Sequence, residues 1–138
     1  MFWDCYKLTN SPKLPASTLA SQCYQNMFAG CRSLTSVPLL SATNLANNCY
    51  YGMFRGCTNL SSAPIISATT LDEQSMYEMF KGCSKLSSVD VEFTDWGDSN
   101  LSATQDWLSG VSNTGTFYKP YALSTVKDVS HIPTNWNV

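Results

Sequence analysis

Charge is scarce in this chain. Of its 138 residues only 13% are Asp, Glu, Lys or Arg, and the net charge is −2. No cluster of cations is at hand to neutralise phosphates, which argues against a nucleic-acid partner. Histidine is scarcer still: His131 stands alone in "VSHIPTNW", with no nucleophile motif beside it, and is read as an exposed or capping side chain. The sequence has no G-x-S-x-G, no glycine loop for phosphate and no H-E-x-x-H. It therefore specifies no enzyme, no catalytic residue and no cofactor. Nor does any stretch approach about 18 consecutive apolar residues, so no membrane span is expected. With 43% hydrophobic residues, one domain over 1–138 can order, its surface polarity coming from Ser, Thr, Asn and Gln.

What the chain does have is repetition. The stretches "MFWDC", "MFAGC", "MFRGC" and "MFKGC" align Met1, Met27, Met53 and Met79, and also Cys5, Cys31, Cys57 and Cys83, at a constant spacing of 26 residues. Leu8, Leu34, Leu60 and Leu86 hold the same register, as do Pro12, Pro38 and Pro64. A fixed period in this range predicts a stack of units that each gain their core from neighbours. Units begin near 1, 27, 53 and 79, and an altered last unit with a cap fills about 94–138, where "WLSGV" replaces "MFKGC".

Within a unit, Leu19, Cys23, Met27 and Cys31 step by four, with Ala20, Tyr24 and Phe28 beside them, which predicts the apolar stripe of a short helix. Thr18, Asn44 and Thr70 stand at its N-cap, Thr70 forms a capping box with Glu73, and Gly30, Gly56 and Gly82 end it in the left-handed region. Leu34-x-x-Val37-x-Leu39 and its copies match the strand of a leucine-rich repeat. The fold expected is thus an α/β solenoid: a leucine-rich-repeat stack of about five rungs, each a short parallel strand plus a helix, with a C-terminal cap. Proline, which cannot donate to a ladder, should keep the strands of the first three rungs very short.

Six cysteines invite a disulfide framework, but Cys23 and Cys49 are followed in their column by Ser75, and Cys83 by Val111. Cys23 and Cys31 would lie about 12 Å apart along a helix, too far to bond. A ladder of buried thiols is the preferred reading, ahead of bridges between rungs, and thiols in rows do not converge on zinc.

Polar residues gather in "VDVEFTDWGDSN". Asp90 and Glu92 alternate with Val89, Val91 and Phe93, so both should face solvent on one strand. Asp95, Asp98 and Asn100 follow; they offer oxygen ligands to calcium, but match no EF-hand spacing, and Asn100 also serves as an N-cap before Leu101. Residues 1–85 sum to +2 and residues 86–138 to −4, so this end of the stack is acidic. If the sheet face binds protein, contact should centre on Asp90 and Glu92 with Phe117, Tyr118 and Lys119 of the fifth strand. Tyr51, Tyr77, Arg55 and Lys81 lie on less regular columns and suit an exposed face. Trp96, Trp107 and Trp136 should close the last rung.

The segments "CYQNMFAGCRSLTSVP", "LANNCYYGMFRGCTNLSSAP" and "GVSNTGTFYKP…HIPTNWNV" resemble the BspA-like leucine-rich repeat family of bacterial surface proteins over nearly the whole chain. The resemblance implies an extracellular or cell-surface location and a non-enzymatic adhesion role, with a host or neighbouring-cell surface or matrix protein as partner. The alternative is a passive spacer or stalk of a larger surface protein. Two departures stand out: Asp4 replaces the glycine in "MFWDC", which suggests a frayed or terminal rung, and the fourth unit drops the proline and lengthens its loop, which suggests the transition to a C-terminal cap. Met1 occupies a repeat column, as expected if upstream residues were left off or if a natural start dispenses with the first helix. Either way the strand from Leu8 to Lys13 is expected to be an open edge, covered by preceding residues or pairing edge to edge with a second copy.

Overall fold

A computed structural model describes residues 1–97 and 102–138. It corrects the expected α/β solenoid of leucine-rich repeats. Among the described residues there is no helix, and the regular strands are two: β1 (Ser88–Asp90) and β2 (Thr116–Tyr118), paired in parallel in one small sheet.

The reason lies in the backbone of the segments expected to be helical. An α-helix keeps φ negative throughout and bonds each N–H to the carbonyl four residues back. Here φ turns positive at every fourth residue: Gln22, Asn26 and Gly30 in one unit, Asn48, Gly52 and Gly56 in the next, Gln74, Glu78 and Gly82 after that. The chain is a run of turns. Half of its N–H groups close those turns locally, as in Met27 N to Tyr24 O (3.2 Å) and Ala29 N to Asn26 O (3.2 Å). The alternate N–H groups donate to the next unit instead, as in Phe28 N to Met53 O (2.9 Å) and Gly30 N to Arg55 O (2.7 Å). Both sets of carbonyls are satisfied in turn, and no group is left to build a helix.

The 26-residue register therefore survives with a different filling. Phe2, Phe28, Phe54 and Phe80 stack ring on ring at 5.5 Å, and Tyr24 stacks on Tyr50. The residues meant to cap helices link units instead: Asn44 bridges Thr70, and Asn47 Nδ2 donates to Glu73 Oε2. Asp4, in the glycine column, takes the same left-handed backbone as Gly30 (φ 53° against 75°) and donates to Ala29 O at 2.7 Å. The first unit thus carries the ladder on without its glycine.

Three of the four aligned cysteines behave as expected. The thiols of Cys31, Cys57 and Cys83 are buried and donate to the carbonyls of Phe2, Phe28 and Phe54. Cys49 is buried too, Cys5 and Cys23 are exposed, and all six are free.

On the other side of each unit the ladder thins. Pro38 and Pro64 offer no N–H, and the second and third units pair there through the isolated bridges Leu40–Ile66 and Asn44–Thr70, with Thr69 and Thr70 donating to Thr43 O beside the second. The fourth unit lacks the proline and forms β1. Its extended stretch is also one residue shorter than that of the third unit: Ser62 is level with Ser88, but Ile66 with Val91. That slip brings Asp90 level with Ile65, next to the Ile66–Val91 bridge.

The last unit and the cap close the stack with indoles. Trp96 and Trp107 pack with Phe93 and Phe117 at centroid distances of 5.3–6.3 Å. Each indole N–H is bonded to a carbonyl: Trp96 to Ser124, Trp107 to His131 and Trp136 to Ser112. Among the described residues no helix is long and apolar enough to cross a membrane.

Candidate interaction surface

Asp90 and Tyr118 come together. They are direct partners across β1 and β2, both exposed, and Glu92 is exposed just beyond. Phe117 does not join them. It points inward opposite Val89 and packs against Trp96 and Trp107. Lys119 is committed elsewhere, its ammonium donating to Leu123 O at 2.6 Å. Of the five residues expected to make contact, three share a surface.

That surface continues where the sequence reading did not look. Leu39, Ile65 and Tyr118 are 67%, 49% and 55% exposed, while their neighbours Leu40 and Ile66 are buried. The leucine-rich template assigns Leu39 and Ile65 to the core. The structure buries Pro38 and Leu40 on either side instead, and alternation along an extended chain then turns Leu39 outward. The register carries this row from Leu39 past Ile65 to Asp90 and Tyr118. At the far end Lys13, Pro12, Val37, Pro38 and Leu39 line an apolar recess of about 590 Å3. The signal that would have found the row is the doubled apolar pair, Leu39-Leu40 and Ile65-Ile66: a strand with one buried face holds only one of each pair.

A second, charged surface lies on the turn side. Glu78 sits almost buried in a left-handed position, with Arg55 Nη1 at 2.9 Å and Lys81 Nζ at 2.6 Å from its two oxygens. Lys81 also reaches Asp106 at 3.8 Å, and its pKa is raised by the hydrogen bond to Glu78. Tyr51 and Tyr77 stack beside this network at 4.9 Å. Burial, and then the carboxylate of Glu78, raise the pKa of Tyr51. These residues were expected on an exposed face; Arg55 is exposed, while Tyr51, Tyr77 and Lys81 are half-buried.

Among the described residues no group of three or more His, Cys, Asp or Glu side chains is placed to hold a metal ion. Asp95 accepts a hydrogen bond from Gly97 N at 2.8 Å; Asp98 and Asn100, the other expected calcium ligands, lie outside the described residues. His131 is buried in the cap, its Nδ1 2.7 Å from Asp128 Oδ1 and its ring edge-on to Trp96. No protein-family model, no curated protein and no solved structure matches the chain.

Proposed function

We propose that this chain is a non-enzymatic protein-binding module whose contact surface is the row Leu39, Ile65, Asp90 and Tyr118, flanked by Lys13 and Glu92. One observation carries the reading: three large apolar side chains are exposed in line on the side of the stack where the backbone makes its fewest bonds. Scattered single apolar residues are ordinary, but an aligned apolar row rimmed by charge is the composition of an interaction site. Tyr118 supplies an aromatic anchor that the earlier units, with Leu39 and Ile65 beside Thr35, Ser36, Ser61 and Ser62, do not. The resemblance to bacterial surface proteins supports a location outside the cell and a partner on a host or neighbouring surface.

The test is saturable binding of the immobilised chain to extracellular-matrix proteins, mucins and bacterial surface extracts. Leu39→Ser with Ile65→Ser is expected to weaken binding at least about tenfold, as loss of two buried contacts would. Asp90→Ala with Glu92→Ala should mainly slow association. Unchanged affinity in both variants contradicts this placement of the site, and the absence of saturable binding returns the spacer alternative.

A further inference from the structure

The turn side carries a hollow that belongs to neither surface described above. The outward column of the turns reads Trp3, Ala29, Arg55 and Lys81 in successive units, adjacency being fixed by Asp4 N to Ala29 O and Gly30 N to Arg55 O. Trp3 is 63% exposed, and Arg55 projects too. Between them Ala29, only 6% exposed, lies at the bottom of a gap one unit wide. The parallel column holds Gln25 and Tyr51, and Asp4, Asn26 and the glycines 30 and 56 complete a hollow of about 560 Å3.

The gap has a defined thickness. Units repeat about every 4.8 Å, so Trp3 and Arg55 stand roughly 10 Å apart across the missing side chain. That is more than a flat aromatic ring needs against both walls, and it suits the thicker, puckered ring of a pyranose. The indole face is electron-rich and takes the C–H face of a sugar.

Hydroxyl partners line the rim. Among the described residues the carboxylate of Asp4 and the side-chain amides of Gln25 and Asn26 have no hydrogen bond to the protein, in contrast to Asn47 and Glu73 one column away, which bond to each other. A carboxylate and amides of this kind pair with vicinal hydroxyls. The charge is also decided: Arg55 is already paired with Glu78, which leaves Asp4 to repel an acidic ligand.

We propose that the hollow between Trp3 and Arg55, floored by Ala29, binds a neutral hexopyranose ring stacked on the Trp3 indole. The site is independent of the protein-binding row, which lies on the proline side of the units.

The test is titration of the full chain with neutral methyl hexopyranosides and methyl N-acetylhexosaminides, followed by the Trp3 indole N–H resonance. A saturable shift with Kd on the order of 1 mM is expected for at least one of them. Ala29→Leu should fill the gap and abolish the shift while the dispersion of the other amide resonances shows the fold intact. Trp3→Ala, read on the Gln25 and Asn26 side-chain amides, should weaken binding about tenfold. No shift with any saccharide, an unchanged shift in Ala29→Leu, or a preference for a tryptophan or tyrosine amide over every sugar would each overturn the assignment. None of these outcomes bears on binding through Leu39 and Ile65.

Discussion

The turn side and the proline side of each unit use the same 26 residues of period to opposite ends. On the turn side every second N–H reaches the next unit, rings stack at constant spacing, and a left-handed residue recurs every fourth position. On the proline side the ladder lapses to single bridges, and Leu39 and Ile65 stand in solvent. The first arrangement leaves little freedom, because each residue serves two neighbours at once. The second leaves side chains free to vary, and that is where a partner can be recognised.

This contrast can be broken most forcefully by alkali. Burial pushes the thiols of Cys49 and Cys83 from an ordinary 9.0 to about 12, and raises that of Cys57 further. Between pH 9 and about 12 the unfolded state has released these protons and the folded state has kept them. Stability is therefore fully present below pH 9 and is lost as pH rises through that window. Because several thiols act together, the loss should exceed that of any single substitution below. Denaturant midpoints measured at successive pH values check it, with a quadruple Cys→Ala variant at positions 31, 49, 57 and 83 showing a flatter dependence.

Next in size is Phe54→Ala. It removes the middle ring of the stack between Phe28 and Phe80 and should cost about 3–5 kcal/mol by chemical denaturation. Gly56→Ala tests the backbone of the same side. At φ 73° a side chain costs roughly 1–2 kcal/mol, although the nearest atom to an added Cβ, Gly30 N, is 3.8 Å away and no clash occurs.

A smaller effect runs the other way. Ser75 stands where the two preceding units have cysteine, and its buried hydroxyl finds no partner among the described residues. Ser75→Cys should stabilise by about 1 kcal/mol, read as a raised denaturant midpoint. Smallest of all, Leu39→Ser on the proline side should move stability by less than about 0.5 kcal/mol while binding weakens.

Much of this was legible in the sequence. The 26-residue register and the positive φ of Gly30, Gly56 and Gly82 are carried by residue identity at fixed spacing, although no helix ends at those glycines; Cys31, Cys57 and Cys83 are buried as expected while Cys5 and Cys23 are exposed, and Trp96, Trp107 and Trp136 pack in the last unit and cap. The helix was not legible, because its apolar residues step by four without drift. On a true helix four residues overshoot one turn by about 40°, so three such steps swing the stripe by roughly 120°. Paired columns such as Cys49-Tyr50 and Met53-Phe54, all buried, belong to a four-residue turn repeat instead. Templates of regular structure contain no such element, and the helix was the nearest substitute. The exposed row was misplaced for a related reason. Val37 and Leu39 were fitted to a leucine-rich strand, whereas the rigid proline between them goes inward and takes Leu40 with it. The outward direction of Asp90 and Glu92 was legible because strand alternation holds in the fourth unit, which lacks proline; on the fifth strand the same alternation turns Tyr118 outward and Phe117 inward, which the sequence reading, naming both, did not separate.

The most direct test of the alternating turn and ladder backbone is a scalar coupling measured through the hydrogen bond between amide nitrogen and carbonyl carbon. The account predicts correlations from Phe54 N to the Met79 carbonyl and from Gly56 N to that of Lys81, across units. Correlations from the same nitrogens to Tyr50 and Gly52, four residues back in a helix, would contradict it.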